Sequence, residues 1–166
     1  MQTAYNELAP IGFGGMKADL YIGYDRSVSN GEATLEMPFG VGVIKGASDS
    51  TVLLPSAAGQ PIVGIVLHSN TYDSRQLGAV GLKPKAHISL SVDGVIYVQV
   101  EEAVLPYDRA FCRFAAGAGG TQRGAWRKSA DTGTAQELRG ARYLTAAQAG
   151  GVAVLQFNAN LVASHL

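Results

Sequence analysis

From Met37 onward the apolar residues fall in short β-branched runs, each closed by a cluster of glycine, proline, serine or aspartate. Residues 39–46 (FGVGVIKG), 51–55 (TVLLP) and 61–69 (PIVGIVLHS) have strand length and composition. The strongest local signal is Asp93-Gly94 between 86–92 (AHISLSV) and 95–100 (VIYVQV), which predicts a tight type I′ hairpin. In its second arm Val95, Tyr97 and Gln99 face one way and Ile96, Val98 and Val100 the other, so one face is core. Runs at 109–115, 124–128, 141–145 and 151–157 continue the series at near-regular intervals. Only 133–140 (GTAQELRG) and 145–150 (TAAQAG) read as helix-like, and both are too short to anchor a helical layer. The pattern predicts an all-β chain, a sandwich or closed barrel with no βαβ layout.

Residues 1–32 differ from the rest. Pro10, Gly12, Gly14, Gly15, Gly23 and Gly31 break helix and strand alike, while Tyr5, Phe13, Met16, Tyr21, Ile22 and Tyr24 supply large apolar groups between the breaks. A disordered tail is poor in such groups. The reading is an extended N-terminal arm over 1–32, burying its aromatics against its own body or a neighbour, followed by a β-sandwich or barrel domain over 33–166.

With 166 residues the chain has the size of one domain, burying roughly 70% of its unfolded surface. Charged residues are 16% of the chain, against about 25% in ordinary domains, so much of the surface is small and uncharged. Lys plus Arg and Asp plus Glu balance at 13 each without a like-charge block, which leaves no electrostatic footprint for nucleic acid. Near-zero net charge also removes the self-repulsion that keeps molecules apart, favouring association with protein. The N-terminus lacks a secretory pattern and no apolar run reaches the ~20 residues of a bilayer span, so no membrane role is expected. Synthesis in a cytosol follows.

Candidate chemistry is sparse, and neither a catalytic set nor a cofactor or metal site is expected. Cys112 lacks a Cys or His at ligand spacing and reads as a small buried hydrophobe. His68, His87 and His165 share no spacing. Although 68–73 (HSNTYD) sets Ser69 and Asp73 beside a histidine, adjacent strand residues diverge, and Gly-x-Ser-x-Gly is absent. Glu101 and Glu102 diverge in the same way and read as a polar strand end. The glycine loop 115–124 (AAGAGGTQRG) lacks the Lys-Ser/Thr ending of a phosphate loop and reads as a flexible or interface loop. Trp126 among Arg123, Arg127 and Lys128 is either an interface anchor or a core side chain with charged neighbours outward.

Taken in order, PIGFGGMKAD (10–19), MPFGVGVIKG (37–46), IVGIVLHS (62–69), DGVIYVQVEEAVLPYDRAF (93–111) and GARYLTAAQAGGVAVLQFN (140–158) resemble the structural cement, or head decoration, proteins of tailed bacteriophages. The resemblance implies a jelly-roll-like sandwich or barrel body with an extended arm. It implies a non-enzymatic role on the outer surface of the virion capsid, the chain being made in the host bacterial cytoplasm. There it would bind the major capsid protein of an HK97-like shell, clamp neighbouring capsomers and hold the head against DNA pressure, as a homodimer or alternatively a homotrimer. Tyr5, Pro10, Phe13, Met16, Tyr21, Tyr24 and Trp126 are the candidate capsid or inter-subunit contacts. A carbohydrate-binding jelly roll aiding host attachment, with Trp126 and Tyr143 as a sugar platform, is the alternative; a cupin-like enzyme would need clustered metal ligands.

Overall fold

The computed structural model describes residues 12–19, 23–69 and 81–159. Among them ten strands follow in chain order: β1 (Asp25–Asn30), β2 (Gly42–Lys45), β3 (Thr51–Leu53), β4 (Ile62–Val66), β5 (His87–Ser91), β6 (Asp93–Gln99), β7 (Arg109–Arg113), β8 (Trp126–Arg127), β9 (Ala135–Tyr143) and β10 (Val152–Asn158). The all-β expectation holds. The first five close into a barrel in the order β1-β3-β2-β4-β5, and the last five form a sheet in the order β6-β10-β9-β7-β8. The barrel shuts by antiparallel pairing of β1 with β5, from Asp25 opposite Ser91 to Ser29 opposite His87. β1 runs parallel to β3, and the other ladders between these strands are antiparallel.

Alternation decides which faces are buried. Along β6 Ile96 and Val98 point inward while Tyr97 and Gln99 point outward, as the period of two requires. On β10 Ala153, Leu155 and Phe157 lie against them. Barrel residues such as Val43, Ile65 and Leu90 and sheet residues such as Ile96, Trp126 and Phe157 belong to one contiguous core. Barrel and sheet therefore share an interior.

The Asp93-Gly94 hairpin does not form. β5 pairs with β1 and β4, while β6 pairs with β10, and Asp93 and Gly94 lie inside the latter ladder opposite Asn158 and Phe157. The chain passes from barrel to sheet at the buried Val92, whose N–H donates to the Tyr24 carbonyl and whose carbonyl accepts from Ala159. Two different sheets capture the two runs, so tertiary pairing overrides the turn preference. Residues 133–140 form no α-helix either: Gly133 ends a 3-10 turn (Asp131–Gly133), and β9 takes up the chain from Ala135 with Ala135, Leu138, Ala141 and Tyr143 inward. Residues 145–150 form a loop bridged at Ala147 to Val104. Finally, 25–30, assigned to the arm by its lack of period, is barrel strand β1. With three exposed polar residues at its start, it draws its place from backbone ladders on both sides.

Asn30, at the end of β1, ties the barrel mouth together. Its amide nitrogen donates to the carbonyls of Leu35 and Leu82, and its amide oxygen accepts from the N–H of Glu32. The side chain is buried, so each of these bonds replaces a lost bond to water. Asn30→Asp removes the donor and sets a carboxylate against two carbonyls. Urea unfolding is expected to register a loss of at least about 2 kcal/mol.

Candidate functional site

Residues 12–19 lie along the free edge of β6 as an added strap. The N–H of Gly15 donates to the Tyr97 carbonyl, the N–H of Tyr97 to the Met16 carbonyl, and the N–H of Ala18 to the Val95 carbonyl, each at 2.8 Å. On its other side Gly15 accepts from the N–H of His68, just beyond β4, so the strap bridges sheet and barrel. Its tight approach explains the glycines. Gly15 has φ +85°, and a Cβ there would stand 2.8 Å from the His68 nitrogen and 3.0 Å from the Gly40 nitrogen, both backbone atoms that cannot yield.

Phe13, 48% exposed, sits edge-on to His68 at 4.3 Å between ring centroids, and His68 also meets Phe39 at 4.7 Å. Met16 is half-buried and Tyr24 is 62% exposed. Tyr5, Pro10 and Tyr21, the other expected arm contacts, lie outside the described residues, as do Asp73 and His165.

Trp126 belongs to the core, at 1% exposure. Its indole N–H donates to the Gly40 carbonyl at 2.6 Å, and its ring stands edge-on to Phe157. Of the two readings left open by strand alternation, the inward one is correct, and Trp126 is no surface anchor. Tyr143 is buried too, its hydroxyl donating to the Arg127 carbonyl. The sugar platform expected from these two rings is therefore not on the surface. Burial pushes the Tyr143 hydroxyl and the Cys112 thiol well above their ordinary values, which leaves Cys112 unreactive.

Sequence reasoning missed an ionic cluster beneath the glycine loop. Arg113, fully buried on β7, makes a 2.7 Å ion pair with Glu101 and another of 2.7 Å with Asp131. Arg127 reaches the same two carboxylates at 3.2 and 3.1 Å and adds Glu102 at 3.4 Å. Glu102 in turn accepts from the Lys128 and Ser129 N–H groups and the Ser129 hydroxyl. Asp131 is aimed inward by a strained turn: it, Thr132 and Gly133 have φ of 43°, 56° and 85° in succession. Among the described residues no buried side-chain polar atom lacks a partner.

The cluster also fixes the glycine loop. The N–H of Gly119 donates to Asp131, and a Cβ at Gly117 would strike the carboxylate of Asp131 and the guanidinium of Arg113. The loop lies over these charges with Gly120 against the Glu101 carboxylate, so the polar end that follows β6 is also an ion-pairing site. The available signal was Arg113 inside the apolar run RAFCRF, because an arginine buried in a strand requires a carboxylate partner.

Chemically this arrangement can hold structure and little else. Each carboxylate of the cluster is bonded by guanidinium, hydroxyl or backbone donors, and His87 is exposed on β5. Among the described residues no group of three or more His, Cys, Asp and Glu could hold a metal.

A barrel and a sheet strapped together over a paired ionic cluster make up an all-β body. A family model described as structural cement protein (E217 gp24/Pam3 gp6) matches residues 1–158. The chain belongs to that family and is a structural component of the phage capsid. A chain in the solved structure titled "The capsid of Myoviridae Phage XM1" is similar in fold, with a TM-score of 0.66 at 15% identity over 95% of this chain and 98% of that one. No curated protein matches.

The Arg113 guanidinium, above all, holds the Asp131 carboxyl below its ordinary 3.8. Burial works against the charge of Glu102, yet its bonds to the Ser129 hydroxyl and the Lys128 N–H outweigh it and hold this carboxyl below 4.5. Both groups bind protons less readily folded than unfolded, so their stabilisation is complete above those ordinary values and is lost as pH falls through the lowered ones. Thermal midpoints are expected to be level from neutral pH to about pH 5 and to drop below pH 4, with a shallower drop in Asp131→Asn. Arg113→Met, which leaves Arg127 as the one guanidinium partner of Glu101 and Asp131 within the cluster, is expected to lower the midpoint of chemical unfolding.

Proposed function

We propose that this chain is a head cement that binds the outer surface of the major capsid protein shell, fastens neighbouring capsomers and holds the head against the pressure of packaged DNA. The observation that carries this reading is the family match over residues 1–158. The body supports it: its central ionic cluster is paired within the chain, and among the described residues the large apolar side chains left outward are Phe13, Tyr24, Leu35, Leu105, Tyr107 and Leu144. A clamp of this kind buries modest area at many equivalent positions, and repeated engagement makes weak contacts collectively strong. Low surface charge keeps such contacts tolerant of ionic strength.

The working unit is a homodimer, with a homotrimer as the alternative. Within the arm proposed over 1–32, residues 12–19 are engaged on β6 and 25–30 in the barrel. Reach toward neighbours therefore falls to residues before Gly12, helped by the outward face of Phe13.

Added to heads assembled without it, the purified chain is expected to cosediment to saturation and to raise the temperature at which heads release DNA. Removal of residues 1–11, which spares the strap, is expected to weaken binding by roughly tenfold or more. Unchanged affinity removes the arm's role; absence of cosedimentation removes the cement reading itself.

A further inference from the structure

Residues 105–108 form a turn in which the Asp108 N–H donates to the Leu105 carbonyl at 3.1 Å and the Asp108 carboxylate accepts from the Leu105 N–H at 2.9 Å. Pro106 occupies its second position and Tyr107 its third, with φ 70°. This is the geometry of a type II turn, whose third position takes glycine at no steric cost. A tyrosine there is strained, and it is 77% exposed, so the ring gains no burial that would offset the strain. The Tyr107 N–H bonds to the Tyr143 carbonyl, which brings the exposed Leu105 and Leu144 to the same end of the sheet.

Tyr107 also lines a shallow groove of about 480 Å³ with Arg109, Glu137, Arg139 and Arg142. A bulge opens this groove: Arg109 stands opposite Arg142 but the next residue, Ala110, stands opposite Leu138, so one step along β7 spans four along β9. Arg109 pairs with Glu137 and Arg142 donates to Gln156, whereas Arg139 is exposed and has no hydrogen bond or ion pair among the described residues. Three guanidiniums thus line the groove with one carboxylate, on a chain whose charges balance as a whole.

We propose that this groove and the Leu105, Tyr107 and Leu144 tip form one docking face for an extended, carboxylate-bearing segment of the shell protein. The proposal rests on the cement reading above and names its contact. Excess positive charge selects an acidic occupant, and the adjoining apolar tip selects a polypeptide over nucleic acid. A second copy of this chain, docked by the same face, would set like charge against like charge.

Binding to heads assembled without this chain tests the face, with affinity and thermal midpoint measured for each variant. Arg139→Glu with Arg142→Glu is expected to weaken binding about tenfold or more, while lysine at both positions stays within a few fold of the original chain. Tyr107→Gly relieves the strain, so its thermal midpoint is expected to hold or rise while its binding weakens. A purely structural tyrosine would not separate the two. If the reversed-charge pair or Tyr107→Gly binds like the original chain, the face is not the contact and the cement reading stands. If the original chain fails to bind heads, both fall. Loss of binding together with a changed oligomer mass assigns the face to a second copy, and preferential binding to DNA assigns it to nucleic acid; either overturns the proposal.

Discussion

The fold depends on what happens at Gly40. Its carbonyl takes the Trp126 indole N–H, its own N–H donates to Val66 at the end of β4, and its φ of +77° admits the backbone of Gly14 and Gly15 to within a distance that any side chain would forbid. Barrel, sheet and strap therefore meet at one backbone position. Two residues on, the Gly42 N–H donates to Gly124, and a Cβ at Gly42 would reach the Cys112 sulfur at 2.8 Å. The joint is made of backbone on backbone, and glycine content well above the usual ~7% is used here for approach between elements as much as for turns.

Charge is distributed by the same logic. A chain with few charged residues commits Arg113, Arg127, Glu101, Glu102 and Asp131 to a single cluster in or near the interior. Apolar packing of similar volume can match a buried ion pair in stability, so the value of this one lies in geometry. It braces the strained turn at Asp131 and ties the glycine loop to it through the Gly119 N–H. Outside that cluster the basic groove beside Tyr107 gathers three arginines around one glutamate.

Strand positions were largely legible because most apolar runs are bounded by turn residues and buried on one or both faces. The partition of those strands was not. Asp93-Gly94 carries a genuine hairpin preference, yet nothing local says that β5 belongs to one sheet and β6 to another. That choice is made by β1 and β10, distant in sequence. β1 itself was invisible, since DRSVSN has a single large apolar residue and is a strand by virtue of its neighbours. Residues 133–140 misled because glutamine, glutamate, leucine and arginine favour helix, whereas burial of Ala135, Leu138 and Tyr143 against β7 and β10 rewards extension. The ionic cluster was half legible, in arginines sited within apolar strands, but its carboxylates come from separate segments that only the fold brings together. Trp126 was undecidable, because alternation gives a face and not its neighbours.

How the sheet ends limits the ways in which this body can meet another. The β6 edge is covered by residues 12–19, and at the opposite side the two-residue β8 is bridged back to Val100, with the Glu101 N–H bonded to the Trp126 carbonyl. The barrel closes on itself and has no edge. Open ladders that would template strand addition are thus largely filled from within the chain, which guards a weakly charged protein against indiscriminate sheet-to-sheet pairing. Recognition then falls to side chains at turn tips and grooves, where shape and charge select the partner.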